Sequence, residues 1–406
     1  MTIGGTVERW LNKQEQRLWR LASVLAGAVL ALGAASARSA PARTAEKESA
    51  AVPFHGRLDV SSFYLEAPDE LLRLGSVPDQ RPVWRLQGSD PKAALGALAA
   101  AGLGTQHIDK LASSGVVAID GDRISLLPGI DLLLALSAAE RHGVYSFLAG
   151  NGLNQHHTAP QIIFGNLDEW LRGSALSSRQ QTLLRGLIWR PGGVTAFSDV
   201  SALVAAAETA AEAEEARRVM TRVRALRVRV VPPADKDGAR FVDYWTAGGL
   251  NRSAAPLLNS AIEEAGGGLL DLALLLPPLA RERIYTYPSL QDAVGGRLPD
   301  CNWTSLNFFA HRPESYYLDG RTSYLALTQL YAEIPRAERF GDVLAFVSED
   351  GLVQHTCVLV AEDIVFTKNG QMLFAPWLLQ RISEVAEIYG GPGRVLRAFR
   401  LRPTPD

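Results

Sequence analysis

The sequence predicts an α+β protein, with a mainly helical N-terminal region followed by a C-terminal domain in which a helix packs on an antiparallel sheet. Between about residues 86 and 225, apolar residues recur at the three- and four-residue spacing of amphipathic helices. Between residues 340 and 367, three short apolar runs alternate with tight turns, which is the pattern of a β-meander. The two halves therefore differ in their dominant secondary structure.

Composition limits the possible functions. The chain has 406 residues, of which 47% are hydrophobic and 21% charged, so it is long enough for two or three domains with their own cores. Its formal net charge is −2. Binding to a nucleic acid backbone normally requires a basic surface, and we therefore expect no nucleic acid partner.

The N-terminus has the composition of an export signal. Basic residues are spread over positions 1–20, an uncharged apolar run follows, and Ala35-Ser36-Ala37 is a small-x-small site of the kind that signal peptidase cleaves. We expect residues 1–37 to be a signal peptide; the alternative is that 21–37 remain as an uncleaved membrane anchor. Either outcome predicts a secreted or periplasmic protein. Residues 38–54 are rich in Ala, Ser and Pro, which is typical of a linker.

Residues 55–283 form the mainly helical region, whose role the sequence does not reveal. A hairpin is expected at Asp120-Gly121 and a half-buried strand at 225–231, where apolar and basic residues alternate. The helical pattern predicts four helices downstream of the hairpin, at 131–148, 167–172, 178–189 and 199–218.

No cofactor or metal is expected. The pair His156-His157 has no cysteine or carboxylate at ligand spacing, so a polar loop pair is the better interpretation. The glycine-rich stretches lack the Lys-Ser/Thr of a phosphate-binding loop and are typical of turns.

Cys301 is the candidate nucleophile. It follows Asp300 and opens a run in which Trp303, Leu306 and Phe309 recur at roughly helical intervals, so the thiol is predicted at a helix N-terminus. There the helix dipole favours a thiolate, and the first free amides can bind an oxyanion.

His355 is the candidate base, and it lies early on the middle strand of the predicted meander. Alternation along this strand places His355, Cys357 and Leu359 on one face. Cys301 and Cys357 are the two cysteines of the chain. We favour a free nucleophile at Cys301, and a Cys301–Cys357 disulfide remains the alternative.

Three motifs in this order resemble those of a known family. They are Asp300-Cys301 at a helix start, Gly341-Asp342 before an apolar run, and His355 at the start of an apolar strand. Residues about 284–390 thus resemble the NlpC-type branch of the papain-like cysteine peptidases and amidases. The resemblance implies a papain-like hydrolase domain at 284–406, in which Cys301 and His355 act on an amide bond of peptide or peptidoglycan from a bacterial cell wall.

The resemblance is incomplete at two places. Asn302-Trp303 replaces the usual Ser-Gly after the cysteine, and the family's third catalytic residue would fall near Thr367. Asn369 is our candidate for this role, because its side-chain oxygen can orient an imidazole. Charged Lys368 cannot accept a hydrogen bond and would instead bind a substrate carboxylate. Asn369-Gly370 is also a turn signal.

These residues predict a mechanism in which His355 takes the proton of Cys301 to form an ion pair, and the thiolate then attacks the carbonyl carbon. The acyl-enzyme passes to water or to another acceptor. The alternative function is a non-catalytic envelope binding or scaffold module that keeps the papain-like fold, which the unusual residues Asn302 and Thr367 favour. The relation between the thiol and a ring nitrogen of His355 distinguishes the two.

Overall fold

The computed structural model describes residues 54–74, 81–113, 117–233, 237–264, 268–391 and 393–403. The predicted signal peptide or anchor, and the predicted linker except Phe54, lie outside the described residues. The chain divides into two compact units: one contains Glu66–Val223, and the other combines the strand that precedes Glu66 with the chain from Arg224 onward. None of the helices in the described ranges has the length and apolar character needed to cross a membrane.

The prediction of an α+β protein is confirmed, because helices occur together with sheets whose paired strands run antiparallel. Strand β1 (Arg57–Leu65) opens the described chain and belongs to the second unit.

The first unit, which we call the helical unit, contains short helices and two small sheets. Its strands pair in the order β2-β4-β3 and β5-β6. The strands are β2 (Trp84–Gln87), β3 (Val117–Asp120), β4 (Arg123–Leu126), β5 (Gln161–Ile162) and β6 (Ala196–Phe197). The helices are α1 (Asp69–Leu72), α2 (Pro91–Ala100), α3 (Thr105–Ser113), α4 (Ile130–Ala135), α5 (Ala138–Gly150), α6 (Gln155–Thr158), α7 (Leu167–Leu171), α8 (Ser178–Leu187), α9 (Val200–Ala205) and α10 (Ala210–Val219).

The hairpin predicted at Asp120-Gly121 is confirmed by β3 and β4. The two long helices predicted in this unit are each broken in two, and a capping residue starts the second half in both cases. Ser137 accepts from the backbone N–H of Glu140 and begins α5, while Thr209 accepts from Glu212 and begins α10. Hydroxyl side chains satisfy free N–H groups at a helix start, which is why they end one helix and begin another.

The second unit, which we call the sheet unit, contains β1 and the elements after Val223. Its helices are α11 (Gly238–Thr246), α12 (Ala255–Glu263), α13 (Pro278–Arg283), α14 (Cys301–Leu306), α15 (Gly320–Leu330) and α16 (Ile382–Tyr389). Its further strands are β7 (Val223–Val231), β8 (Leu270–Asp271), β9 (Tyr331–Ile334), β10 (Val343–Ser348), β11 (Val353–Ala361), β12 (Ile364–Lys368), β13 (Trp377–Arg381) and β14 (Arg394–Leu401).

A six-stranded sheet in the order β13-β12-β11-β10-β14-β9 carries the candidate site, and a second sheet has the order β1-β7-β8. The predicted meander is confirmed as β10-β11-β12, in which Phe346 pairs with His355 and Val358 with Phe366. Sequence analysis did not predict β13, β14 and β9, which extend the meander on both sides.

A single apolar core joins the chain on both sides of the predicted boundary at 283/284. Trp245 and Leu275 pack in the same cluster as Phe340 and Val360 of the sheet region. The Tyr244 hydroxyl also donates to the Val360 carbonyl at 2.8 Å. The compact unit therefore begins at Arg224, because residues 224–283 bury their apolar side chains there and not in the helical unit.

The two faces of the large sheet have different partners. On one face, Trp303 of α14 shares the main core with Val358 and Phe366. On the other face, Cys357 packs in a smaller cluster with Val385 of α16. Since successive side chains on a strand point to opposite faces, each residue of β11 faces either α14 or α16.

Candidate active site

Cys301 is the first residue of α14, as the sequence predicts. Asp300 is the N-cap, and its carboxylate accepts a hydrogen bond from the Trp303 backbone N–H at 2.8 Å. This acceptor at the N-cap satisfies one free amide of the first turn and fixes where the helix starts. The cysteine side chain is consequently held against the sheet, with only 7% of the residue exposed.

The surroundings of Cys301 favour the neutral thiol. Burial raises the pKa of Cys301 to about 12, and the adjacent Asp300 carboxylate adds to the increase. Hydrogen bonding with Thr356 and with the Asn302 amide acts in the opposite direction but does not outweigh the burial. The Thr356 hydroxyl also donates to Asn302 Oδ1 at 3.1 Å, which ties the first turn of α14 to β11. The thiolate expected from the helix dipole alone is therefore not the resting form.

His355 is completely buried on β11. Its ring stacks on Tyr389 of α16, with a centroid distance of 3.9 Å and an interplanar angle of 7°. Burial lowers the pKa of His355 to about 3, so the imidazole is neutral at physiological pH. Its Nε2 is 2.9 Å from the Thr367 hydroxyl, while Nδ1 has no hydrogen-bond partner among the described residues.

A polar chain behind His355 favours one tautomer of its ring. The Thr367 hydroxyl donates a long hydrogen bond of 3.5 Å to Asn369 Oδ1, and Asn369 Nδ2 donates to Gln380 Oε1 at 2.8 Å. A hydroxyl has one proton, so a Thr367 that donates to Asn369 must accept from His355 Nε2–H. Nδ1 then carries the free lone pair, and it is the ring nitrogen able to accept a proton.

The structure places the three predicted catalytic residues in neighbouring but distinct positions. The Cys301 thiol lies beside Thr356, whereas His355, the residue before it on β11, points to the opposite face, where its ring stacks on Tyr389 of α16. No hydrogen bond joins the thiol and the imidazole among the described residues, so the structure does not bring Cys301 and His355 together. Asn369 lies in the turn after β12 and reaches the imidazole through Thr367, not directly as predicted. Both thiol and imidazole are neutral, so the ion pair expected from sequence is not the resting state.

Cys357 is a free cysteine, as is Cys301, and both are buried. Cys357 lies on the α16 face of β11 and packs against Val365 and Val385. Burial raises the pKa of its thiol as well. The disulfide kept as an alternative is thus absent between these two residues.

The Gly341-Asp342 motif stabilises the fold next to the site. Gly341 has a φ of +93°, and a Cβ there would lie 2.3 Å from Phe309 Cζ, so only glycine fits. The Asp342 carboxylate forms two hydrogen bonds of 2.7 Å with the Arg400 guanidinium and accepts from the Glu338 and Arg339 amides. The motif therefore fixes the start of β10 against α14 and β14.

Lys368 is fully buried, unlike the substrate-binding residue that the sequence analysis expected. Its ammonium donates to the carbonyls of Gly370 at 2.7 Å and Met372 at 3.2 Å, and it lies 5.5 Å from the centroid of the Trp377 ring. A substrate carboxylate cannot reach it without rearrangement of this turn.

Sequence analysis missed Tyr389 and Gln380, which complete the surroundings of His355. Tyr389 ends a helix that no motif marked, and its contact with His355 is set by tertiary packing alone. Gln380 was detectable in principle, because a glutamine within an apolar run is a signal for a buried hydrogen bond.

The histidine pair His156-His157 lies in the one-turn helix α6 and not in a loop as expected. His157 is buried, and its ring packs edge-on against Tyr145 at 4.6 Å. Among the described residues, no group of three or more His, Cys, Asp or Glu side chains is arranged to hold a metal ion.

The comparisons with known proteins add no family. Neither a protein-family model, nor a curated protein, nor a solved structure matches this chain. The resemblance to NlpC-type enzymes thus rests on the sequence motifs Asp300-Cys301, Gly341-Asp342 and His355 alone.

Proposed function

We propose that this chain is an exported thiol hydrolase with a papain-like catalytic domain, and that it cleaves an amide bond in cell-wall peptide through an acyl-enzyme on Cys301. One observation carries the proposal. His355 is held by Thr367 through Nε2 and keeps a buried Nδ1 without a hydrogen-bond partner among the described residues. A buried acceptor without a partner is costly, and catalysis is a common reason to retain one.

The neutral resting state decides how the reaction proceeds. The His355 ring must first leave its stack on Tyr389, because in the resting structure it faces away from α14. Its Nδ1 then removes the thiol proton as the Cys301 sulfur attacks the carbonyl carbon, so that charge develops only in the transition state. The imidazolium then gives this proton to the leaving amine as the C–N bond breaks. Water attacks the thioester with His355 again as the base, which releases the acid and restores the thiol.

The test is acylation of the purified protein with p-nitrophenyl acetate, followed by peptide mass analysis. We expect a burst of p-nitrophenol and an acetyl group on Cys301 in the wild type, with both lost in Cys301→Ala. His355→Ala should slow acylation about a hundredfold, in line with general base catalysis. Purified muropeptides are the second substrate, because the proposal predicts an amide bond in them.

Matched variants control for folding and for other nucleophiles. Cys357→Ala and His311→Ala should acylate at the wild-type rate, because Cys357 packs in the smaller apolar cluster and His311 is exposed. Acylation that survives in Cys301→Ala, or a rate that does not respond to His355→Ala, would exclude the proposed mechanism.

The burial of both reactive groups favours a second candidate function, a non-catalytic envelope binding or scaffold module. Cys301 is 7% exposed and His355 is fully buried, and their pKa values oppose ionisation of either. This function predicts that wild type and Cys301→Ala sediment equally with purified peptidoglycan, and that neither forms an acyl-enzyme.

Export is the part of the proposal that rests on residues 1–37. It predicts that the protein accumulates outside the cytoplasm of a bacterial host with Arg38 as its N-terminal residue. N-terminal sequencing of that fraction checks it, and an intact Met1 in a membrane pellet would indicate the anchor instead.

A further inference from the structure

The sheet unit contains a buried cation that the proposed mechanism does not use. Lys368 is the last residue of β12, and its side chain is fully buried. It follows Phe366 by two positions, so it points to the face that carries α14. Phe366 contacts Phe308, which follows α14, with a ring distance of 5.7 Å.

Two contacts connect the Lys368 ammonium to α14 through the Trp377 ring. Its Nζ lies over the Trp377 ring, and Trp377 Nε1 donates to the Thr304 hydroxyl of α14 at 2.9 Å. The carbonyls of Gly370 and Met372 accept two of its three protons. This leaves one N–H for the region where α14 begins, at Asp300 and Cys301.

The charged groups around Lys368 are mostly acidic. Asp300, Cys301 and Asp292 all favour its protonated form, against a burial that lowers the pKa of Lys368 to about 7. Asp292 is already paired with Arg283 at 2.7 Å, and the Arg283 guanidinium lies over the same Trp377 ring at 5.1 Å. Lys368 is therefore the cation available to offset the charge of Asp300.

We propose that Lys368 is the counter-ion of the cysteine helix, offsetting the Asp300 carboxylate so that Cys301 can lose its proton. This inference rests on the proposed role of Cys301 as a nucleophile. Asp300 is needed as the N-cap of α14, but its negative charge opposes a neighbouring thiolate. A buried cation connected to the same helix through Trp377 offsets that charge.

The test is a double-mutant cycle in which each substitution removes one charge, and the measured quantity is the rate at which iodoacetamide alkylates Cys301 in the full chain. Lys368→Met should slow Cys301 alkylation about tenfold at pH 6.5, Asp300→Asn should accelerate it, and the double variant should return close to the wild-type rate. Asparagine is an equally good N-cap, so Asp300→Asn changes the charge and keeps the helix start.

The pH dependence separates an electrostatic role from a structural one. Lys368 is charged below its pKa and loses its charge as the pH rises through about 7. The ratio of wild-type to Lys368→Met rates should therefore be largest near pH 6 and fall toward 1 by pH 9. Cys357, measured in the same digest, reports general opening of the fold and should alkylate at the same rate in all four proteins.

Three results would overturn the inference: an unchanged Cys301 rate in Lys368→Met, Cys301 and Cys357 rates that rise together, or a wild-type Cys301 that alkylates no faster than Cys357. The proposed function fails separately, when His355→Ala leaves acylation unchanged. If that happens while the charge cycle still holds, Lys368 tunes the thiol of a protein that is not a hydrolase.

Discussion

At the residue scale, the chain from His355 through Thr367 and Asn369 to Gln380 orients one imidazole. Thr367 can orient the ring because a hydroxyl accepts from Nε2 while donating further along the chain. The Thr367 hydroxyl therefore favours the proton on Nε2 of His355, and Asn369 and Gln380 orient that hydroxyl.

Thr367→Val removes this acceptor at almost constant volume. We expect kcat/KM for the acylation of Cys301 to fall at least about tenfold, because the imidazole loses the preference for its Nε2–H tautomer. Thr367→Ser keeps the hydroxyl and should retain most of the activity. ¹⁵N NMR of the His355 ring checks the cause: a wild-type tautomer population that persists in Thr367→Val would contradict the assignment.

His355 also makes stability depend on pH. Its folded pKa of about 3 lies below the unfolded value of 6.5, so the unfolded chain binds the extra proton between these values and stability falls as the pH falls. Between pH 7 and 5 this should cost about 2 kcal/mol. Urea unfolding at both pH values should show that loss in the wild type and a smaller one in His355→Asn. Equal losses would mean that His355 is not buried as a neutral group.

At the element scale, the start of β10 depends on a contact between Gly341 and Phe309. Gly341→Ala introduces a side chain at a positive φ and directly against the Phe309 ring, and we expect a loss of about 2 kcal/mol in the free energy of unfolding. Gly320→Ala is the matched control, because a Cβ there meets nothing within 4 Å. Similar urea midpoints for the two variants would contradict the contact.

Local signals predicted the elements that local residues determine. Asp300 with the apolar spacing after it predicted α14, and the turn residues around β10, β11 and β12 predicted the meander. Strands β9 and β14 were not predicted because their partners lie far along the chain. Strand β13 pairs with the nearby β12, and its apolar run at 377–381 was not recognised as a strand. At the site, Cys301 and His355 were predictable from their motifs, whereas burial reversed their expected charge states, and burial is a tertiary property.

At the scale of the whole molecule, the helical unit is inserted into the sheet unit between β1 and β7. Its two ends meet: Glu66 pairs with Arg222 at 2.8 Å, and the Ala67 amide donates to the Thr221 hydroxyl at 2.9 Å. An insertion whose ends are adjacent can in general be removed without opening the host.

Replacing residues 67–221 with a short Gly-Ser linker should therefore leave a folded sheet unit. A fragment of 284–406 should not fold, because it lacks the part of the main core formed by α11, α12 and β7. Circular dichroism and urea titration of both fragments check the prediction. Cooperative unfolding of the 284–406 fragment would show that the smaller domain predicted from sequence is sufficient.

The adjacent ends of the helical unit affect how the sheet unit folds while the chain is being synthesised. Strand β1 leaves the ribosome before all of Glu66–Val223, and its neighbour β7 follows only afterwards. Pairing across so long a separation is slow when the intervening chain is unfolded. If the helical unit folds first, as N-terminal domains generally do, its adjoining ends bring β1 and β7 together, and a distant pairing becomes a local one. The helical unit would then act as a folding template for the sheet β1-β7-β8 of the sheet unit.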